Sequence, residues 1–176
     1  MNVSLYFINF LAIFGRLRLT AYLQKMLLII NGASVSGKVF LDRGVLLVSA
    51  HNISFGKSVS LGHNNRILAF NKVQIGDYVQ TAIGLTIVAG THDKSSYESL
   101  SRQEIKIGSG CWVGANVTLL GNVKVGKGCI IGAGSLVNKD IPDYSIVVGN
   151  PARVIGTRYP AENIIHPFGT YKSSEI

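Results

Sequence analysis

Apolar residues recur through the middle of this chain every six positions. Ile107, Val113, Leu119, Val125, Ile131 and Val137 are each six apart, and Gly108, Gly114, Gly126 and Gly132 directly follow four of them. The fifth position of successive hexads is Cys111, Val117, Val123, Cys129 and Ser135, small or β-branched each time. Each hexad reads as one short strand and a turn. The aliphatic side chain points inward and stacks on its equivalents in neighbouring coils, and glycine serves the bend. Strands pair with the coil above and below, so no hexad is stable alone. This predicts an all-β fold, a parallel β-helix. An α/β alternative fails because no long amphipathic helices separate the strands.

The pattern continues upstream with shifts of register. Ile75, Thr81 and Ile87 form one run, and Phe55, Leu61 and Ile67 another. Val35, Leu41, Leu47 and Ile53 suggest earlier coils. The period lapses over residues 90–104 (GTHDKSSYESLSRQE), which are polar. A loop extruded from a regular solenoid is where function concentrates.

Two apolar stretches precede the repeat, residues 5–14 (LYFINFLAIF) and 21–30, separated by Gly15, Arg16 and Arg18. The first is too short to span a bilayer and lacks the basic flank and cleavage site of a signal peptide. Two readings stand side by side. The stretches form short helices capping the core, or a helix pair on a membrane surface with Arg16, Arg18 and Lys25 near lipid phosphates. The expected organisation is an N-terminal helical segment over 1–34, a β-helix domain over 35–156 and a C-terminal tail over 157–176.

Composition narrows the partners. With 47% hydrophobic and 15% charged residues among 176, the chain is a folded domain, not a disordered one. The net charge of +8 suits a phosphorylated cofactor, anionic lipid or nucleic acid. Its basic residues are scattered and no nucleic-acid module is present, which argues against nucleic acid. Cys111 and Cys129 form neither a CxxC nor a zinc spacing, which points to a reducing compartment. Within the polar interruption, His92 carries an imidazole able to take a proton from an attacking hydroxyl. The bland alternative is a surface loop histidine.

Residues 105–156 (IKIGSGCWVGANVTLLGNVKVGKGCIIGAGSLVNKDIPDYSIVVGNPARVIG) resemble the hexapeptide-repeat acetyltransferases, most closely the galactoside, maltose and polysaccharide O-acetyltransferase branch. Residues 75–93 (IGDYVQTAIGLTIVAGTHD) resemble the same branch. The resemblance implies a left-handed β-helix with three hexads per coil, assembled as a homotrimer with active sites between subunits. It implies acetyl-coenzyme A as donor, a sugar hydroxyl as acceptor and no metal. It also makes His92 the base. Adjacent Asp93, or a main-chain carbonyl, would orient the imidazole. A backbone N–H at Gly114 or Ala115 is the candidate oxyanion donor.

By the same resemblance Ala115 and Ala133 meet the pantetheine arm of coenzyme A, where small residues let it lie close. Asn138 and Lys139 contact its nucleotide end, and Arg153 lies near its phosphates. A further basic position of the sugar-specific relatives is Gly156 here, for which Arg158 is the candidate substitute. Trp112 either walls the pocket or packs the coil edge. Asn64 and Asn65 fall where relatives place a sugar-contacting asparagine. His63, Tyr97 and Glu98 are further acceptor-side candidates. Three hexads per coil would stack Cys111 on Cys129 as packed thiols in poor geometry for a disulfide.

Rival readings are testable on the same residues. A γ-type carbonic anhydrase needs three zinc-binding histidines, but His51, His63, His92 and His166 are widely separated. Amino-sugar N-acetyltransfer, serine O-acetyltransfer and a non-catalytic β-helix subunit remain as alternatives. The apolar N-terminus favours O-acetylation of a capsule, O-antigen or exopolysaccharide sugar in the cytoplasm, with the protein peripheral at the inner face of the membrane.

Overall fold

A computed structural model describes residues 18–92, 100–101, 103–158, 163–166 and 169–172, and in it the chain winds into a three-sided parallel β-helix. Face A stacks Ser34–Val35, Ile53–Phe55, Val73–Ile75, Ile105–Ile107 and Val123–Val125. Face B stacks Val39–Leu41, Val59–Leu61, Gln80–Thr81, Trp112–Val113, Ile130–Ile131 and Ser145–Val148. Face C stacks Leu46–Val48, Arg66–Leu68, Thr86–Val88, Thr118–Leu120 and Leu136–Val137. The interior strands pair in parallel register with the coils above and below, for example Lys106 with both Gln74 and Lys124.

The hexad aliphatics fill the prism. Ile107, Val113, Leu119, Val125, Ile131 and Val137 are all buried, as are the fifth-position residues Cys111, Val117, Val123, Cys129 and Ser135. Coils stack tightly at the A–B edge. A Cβ on Gly108 would lie 2.6 Å from main-chain atoms of Gly126 and Lys127, so glycine is required there. A left-handed residue recurs at the A–B edge, as at Ser58, Tyr78 and Gly110, and again in each coil at the B–C edge. Gly44, Asn64, Gly84, Asn116 and Gly134 occupy that slot with φ between +55° and +80°. Glycine and asparagine adopt this conformation at least cost.

The upstream register shifts have a geometric cause. Val35, Phe55 and Ile75 are register partners 20 residues apart, whereas Ile107 and Val125 are 18 apart. The early coils carry two more residues at the C–A edge, where Ala50–Asn52 forms a 3-10 turn. Ile53, read from the six-step run as a hexad aliphatic, therefore lies in register with Val73, Ile105 and Val123, and Phe55 takes the aliphatic slot. Between Ile75 and Ile107 the coil is enlarged by the segment leaving the prism. Its ends, Thr91–His92 and Leu100–Ser101, pair antiparallel.

Both ends of the prism are closed. Helix α1, Arg18–Ile30, covers the first coil with buried Leu28 and Gln24. Gln24 Nε2 donates to Leu41 O at 2.8 Å, and Leu41 N–H donates to Gln24 Oε1 at 3.1 Å. One side-chain amide thus pairs with edge groups that would otherwise need a further strand. The first apolar stretch, residues 5–14, lies outside the described residues. At the other end Arg153–Thr157 turns back antiparallel on Ser145–Val148. The expected tail over 157–176 contains a hairpin of Asn163–His166 with Gly169–Lys172.

Candidate active site

Face C separates two edges that carry most of the candidate residues. Along the B–C edge lie His63 and Asn64, then Gly114 and Ala115, then Ala133. Ala115 and Ala133 occupy consecutive coils, with Gly134 N–H donating to Ala115 O at 2.8 Å. Arg153 completes this edge. It pairs with Val148, whose side chain abuts Gly132, and its guanidinium is exposed beyond a 2.9 Å bond to Ala152 O. Trp112 stands on face B between Gln80 and Ile130 and is 49% exposed, so it does not pack the core.

The C–A edge carries the rest. Here the chain passes Gly90, packed against Phe70, and leaves the prism at Thr91–His92. Asn138 and Lys139 follow Leu136–Val137 to the same edge and are exposed. In one protomer, therefore, the main chain of His92 starts from a different edge than Ala115, Ala133 and Arg153. Asp93, Tyr97 and Glu98 lie outside the described residues.

Face C turns mostly aliphatic residues outward, with Arg66, Thr86 and Thr118 among them. Leu46 and Val48 flank the inward Leu47, and alternation likewise turns Leu68, Val88, Leu120 and Leu136 outward, all exposed or half-buried. The outward positions of face A are Ser54, Gln74, Lys106 and Lys124. The hexad reading counted only inward residues, so it missed this aliphatic face. The alternate positions of the face C strands carry the signal. A groove of about 580 Å³ runs along face A, lined by Lys106, Lys124, Lys127, Asp140 and Asp143, and none of the candidate site residues lines it.

Several expectations need correction. Gly114 N–H is committed to Ile131 O at 2.8 Å, so it is not free to be the oxyanion donor, and Ala115 remains the candidate. A Cβ at Gly114 would lie 2.7 Å from Ala133 N, so this glycine serves close stacking. Arg158 does not stand in for the base missing at Gly156. Its Nη1 donates to Gly110 O at 2.9 Å and Gly128 O at 3.1 Å, tying two turns together at the A–B edge. Asn65 is fully buried. It donates to Thr81 Oγ1 and accepts Leu85 N–H at 2.9 Å, so it braces the corner and does not face an acceptor. Asn64 is exposed in the left-handed slot, over Gly44. Exposed His63 pairs its Nδ1 with Asp42 Oδ2 at 3.3 Å.

Cys111 and Cys129 are buried, unbridged and in adjacent coils. Cys111 Sγ donates to Gly126 O at 3.0 Å and Cys129 Sγ to Pro142 O at 3.1 Å. The contact with Cys129, reinforced by burial, pushes the Cys111 thiol well above its ordinary 9.0. The same contact draws Cys129 down to about 7.

The family described as "Bacterial transferase hexapeptide (six repeats)" matches residues 104–139. Serine acetyltransferase 4 of Arabidopsis thaliana is 41% identical over 101 residues, which are 57% of this chain and 27% of that protein. Serine acetyltransferase 2 of the same plant is 36% identical over 100 residues, 57% of this chain and 29% of that protein. The chain thus spans under a third of these two curated relatives. Among solved structures, a maltose O-acetyltransferase from Clostridium difficile 630 superposes with a TM-score of 0.72 at 26% identity, covering 88% of this chain and 86% of that one. A galactoside acetyltransferase in complex with coenzyme A superposes with a TM-score of 0.76 at 26% identity, covering 89% and 78%.

Proposed function

We propose that this chain is a hexapeptide-repeat acetyltransferase and that it transfers the acetyl group of acetyl-coenzyme A to a sugar hydroxyl. The acceptor we infer is a surface polysaccharide, such as a capsule, O-antigen or exopolysaccharide, or its cytoplasmic precursor. The observation that carries the site is the division of candidate residues between two edges flanking a mostly aliphatic face. Three copies with parallel axes, each laying the C–A edge of one against the B–C edge of the next, would bring His92 to Ala115, Ala133 and Arg153 and bury face C. Such a head-to-tail contact closes into a ring under three-fold rotation.

The residues then divide the chemistry. His92, neutral, accepts the proton of the acceptor hydroxyl as its oxygen attacks the thioester carbonyl. Asp93 or a main-chain carbonyl holds the other ring nitrogen. Ala115 N–H donates to the oxyanion that forms. When the carbon–sulfur bond breaks, the histidinium returns its proton to the departing thiolate of coenzyme A. The donor side fits these residues: Ala115 and Ala133 leave room for an extended arm, and Arg153 offers an exposed guanidinium to phosphate. Asn138 and Lys139 are assigned to the nucleotide end. Trp112 is assigned to the coenzyme A thioester pocket, and His63, Asn64 and Tyr97 to the acceptor side.

Two experiments test this. Release of free coenzyme A thiol is followed with a panel of glycan precursors, simple sugars, an amino sugar and serine. Transfer to a sugar hydroxyl supports the reading, whereas fast transfer to serine alone, the acceptor named by the Arabidopsis relatives, replaces it. For the shared site, His92→Ala and Ala133→Trp proteins are each inactive. Dissociated and reassociated together, they regain about a quarter of full activity, because random mixing leaves that share of interfaces with both halves intact. Absence of any recovery in the mixed assembly rejects a site shared between copies.

A further inference from the structure

Helix α1 has apolar residues on two sides, and only one faces the protein. Leu28 and Gln24 are buried against the first coil. Tyr22, Met26, Ile29 and Ile30 stand 60%, 41%, 45% and 71% exposed. Their spacing of i, i+4, i+7 and i+8 puts them on one stripe of the helix, facing away from the prism. Lys25 is half-buried at the margin of that stripe, and position 18, seven residues earlier, lies on the same helical line.

The charge of the N-terminal sequence is one-sided. Residues 1–41 contain Arg16, Arg18, Lys25 and Lys38 and no acidic residue, and the first carboxylate of the chain is Asp42. Residues 5–14, just ahead of the two arginines, add a second apolar run. Among the described residues no helix is long and apolar enough to cross a membrane.

We propose that the outer stripe of α1 rests in the interface of an anionic lipid bilayer, with the solenoid standing off the membrane on its first coil. Tyr22, Met26, Ile29 and Ile30 enter the headgroup–acyl boundary, and the flanking cations lie level with lipid phosphates. The charge selects this occupant. A second copy would bring another net-cationic end against the first, whereas an anionic lipid surface complements it. This inference does not rest on the transferase reading, because it concerns another end of the molecule and needs no substrate.

The test is co-sedimentation of the full chain with vesicles of phosphatidylcholine, alone or mixed with phosphatidylglycerol, at about 0.1 M salt, where screening is moderate. Wild-type protein is expected to pellet with the mixed vesicles. Ile29→Ser/Ile30→Ser should lower partitioning at least about tenfold, since two large side chains lose their apolar burial. Arg16→Gln/Arg18→Gln should weaken binding to mixed vesicles and leave the weak binding to neutral ones unchanged. Should the isoleucine pair impair folding, Met26→Gln carries the same test with a loss of severalfold. Wild-type protein left in the supernatant with both vesicle types overturns the proposal. So does an isoleucine variant that pellets like wild type, or one that changes oligomeric state while its vesicle binding is intact.

Discussion

Replacing Asn65 with alanine separates scaffold from site at the B–C edge. The Asn65 amide holds Leu85 N–H at 2.9 Å and Thr81 Oγ1 within a fully buried corner. In Asn65→Ala, Leu85 N–H loses its acceptor with no water at hand, which costs about 1–3 kcal/mol. Thr81 fares better. Its Oγ1 still accepts Gly62 N–H at 3.1 Å, so only the net value of one bond is lost there, about 1 kcal/mol. The total is about 2–4 kcal/mol, or a fall in Tm of about 5–15 °C for a chain of this size. Calorimetry on the variant measures it, and steady-state kinetics on the acceptor found in the panel supplies the second readout. The expected outcome is a lower Tm with KM for the acceptor within about twofold of wild type. A fall below about 2 °C, or a tenfold rise in acceptor KM at unchanged Tm, would refute the structural role.

Four further outcomes follow from the same geometry. His92→Ala should lower kcat at least about a hundredfold while coenzyme A affinity by calorimetry stays near normal, and a variant with kcat close to wild type removes His92 as base. Arg153→Ala should act mainly on KM for acetyl-coenzyme A, raising it about tenfold through loss of a charged phosphate contact, and an unchanged KM rejects that contact. Gln24→Ala strips partners from both Leu41 N–H and Leu41 O, so it should cost about 2–4 kcal/mol and expose a strand edge, visible as a lower denaturation midpoint with light scattering on mild heating; equal midpoints would contradict the capping role. Cys111 keeps its proton in the fold above pH 9.0, where an unfolded-state thiol ionises. Its contribution to stability is therefore complete below pH 9.0 and shrinks as pH rises past it, so wild type should lose more stability above pH 9.0 than Cys111→Ala. Parallel stability–pH curves for the two proteins would exclude this.

The hexad pattern was legible because one inward slot meets the same slot of the next coil. That demand leaves an aliphatic at every sixth residue from Ile107 to Val137. It was hardest to follow before Ile75. Two additional residues at the C–A edge cost little in a turn, yet they shift the linear count so that the six-step run from Val35 lands on Ile53, while the aliphatic slot belongs to Phe55. The polar interruption also showed in the sequence, since the six-residue period lapses over residues 90–104. Asn65, by contrast, looked like a polar corner residue available to an acceptor. Its two partners, Thr81 and Leu85, are brought to it only by the next coil.

The sequence by itself therefore determined the repeating unit, the inward residues, the place where the chain leaves the solenoid and the residue types suited to acetyl transfer. These are local properties, set by periodicity and side-chain chemistry. The tertiary structure alone decided which edge each residue occupies. Coiling converts distance along the chain into position around a triangle, so His92 and Ala115, 23 residues apart, leave from different edges. Ala115 and Ala133, 18 apart, stand one above the other. The same coiling engages Gly114 N–H and the Arg158 guanidinium in holding coils together, and turns a mostly aliphatic face outward between the two halves of the candidate site.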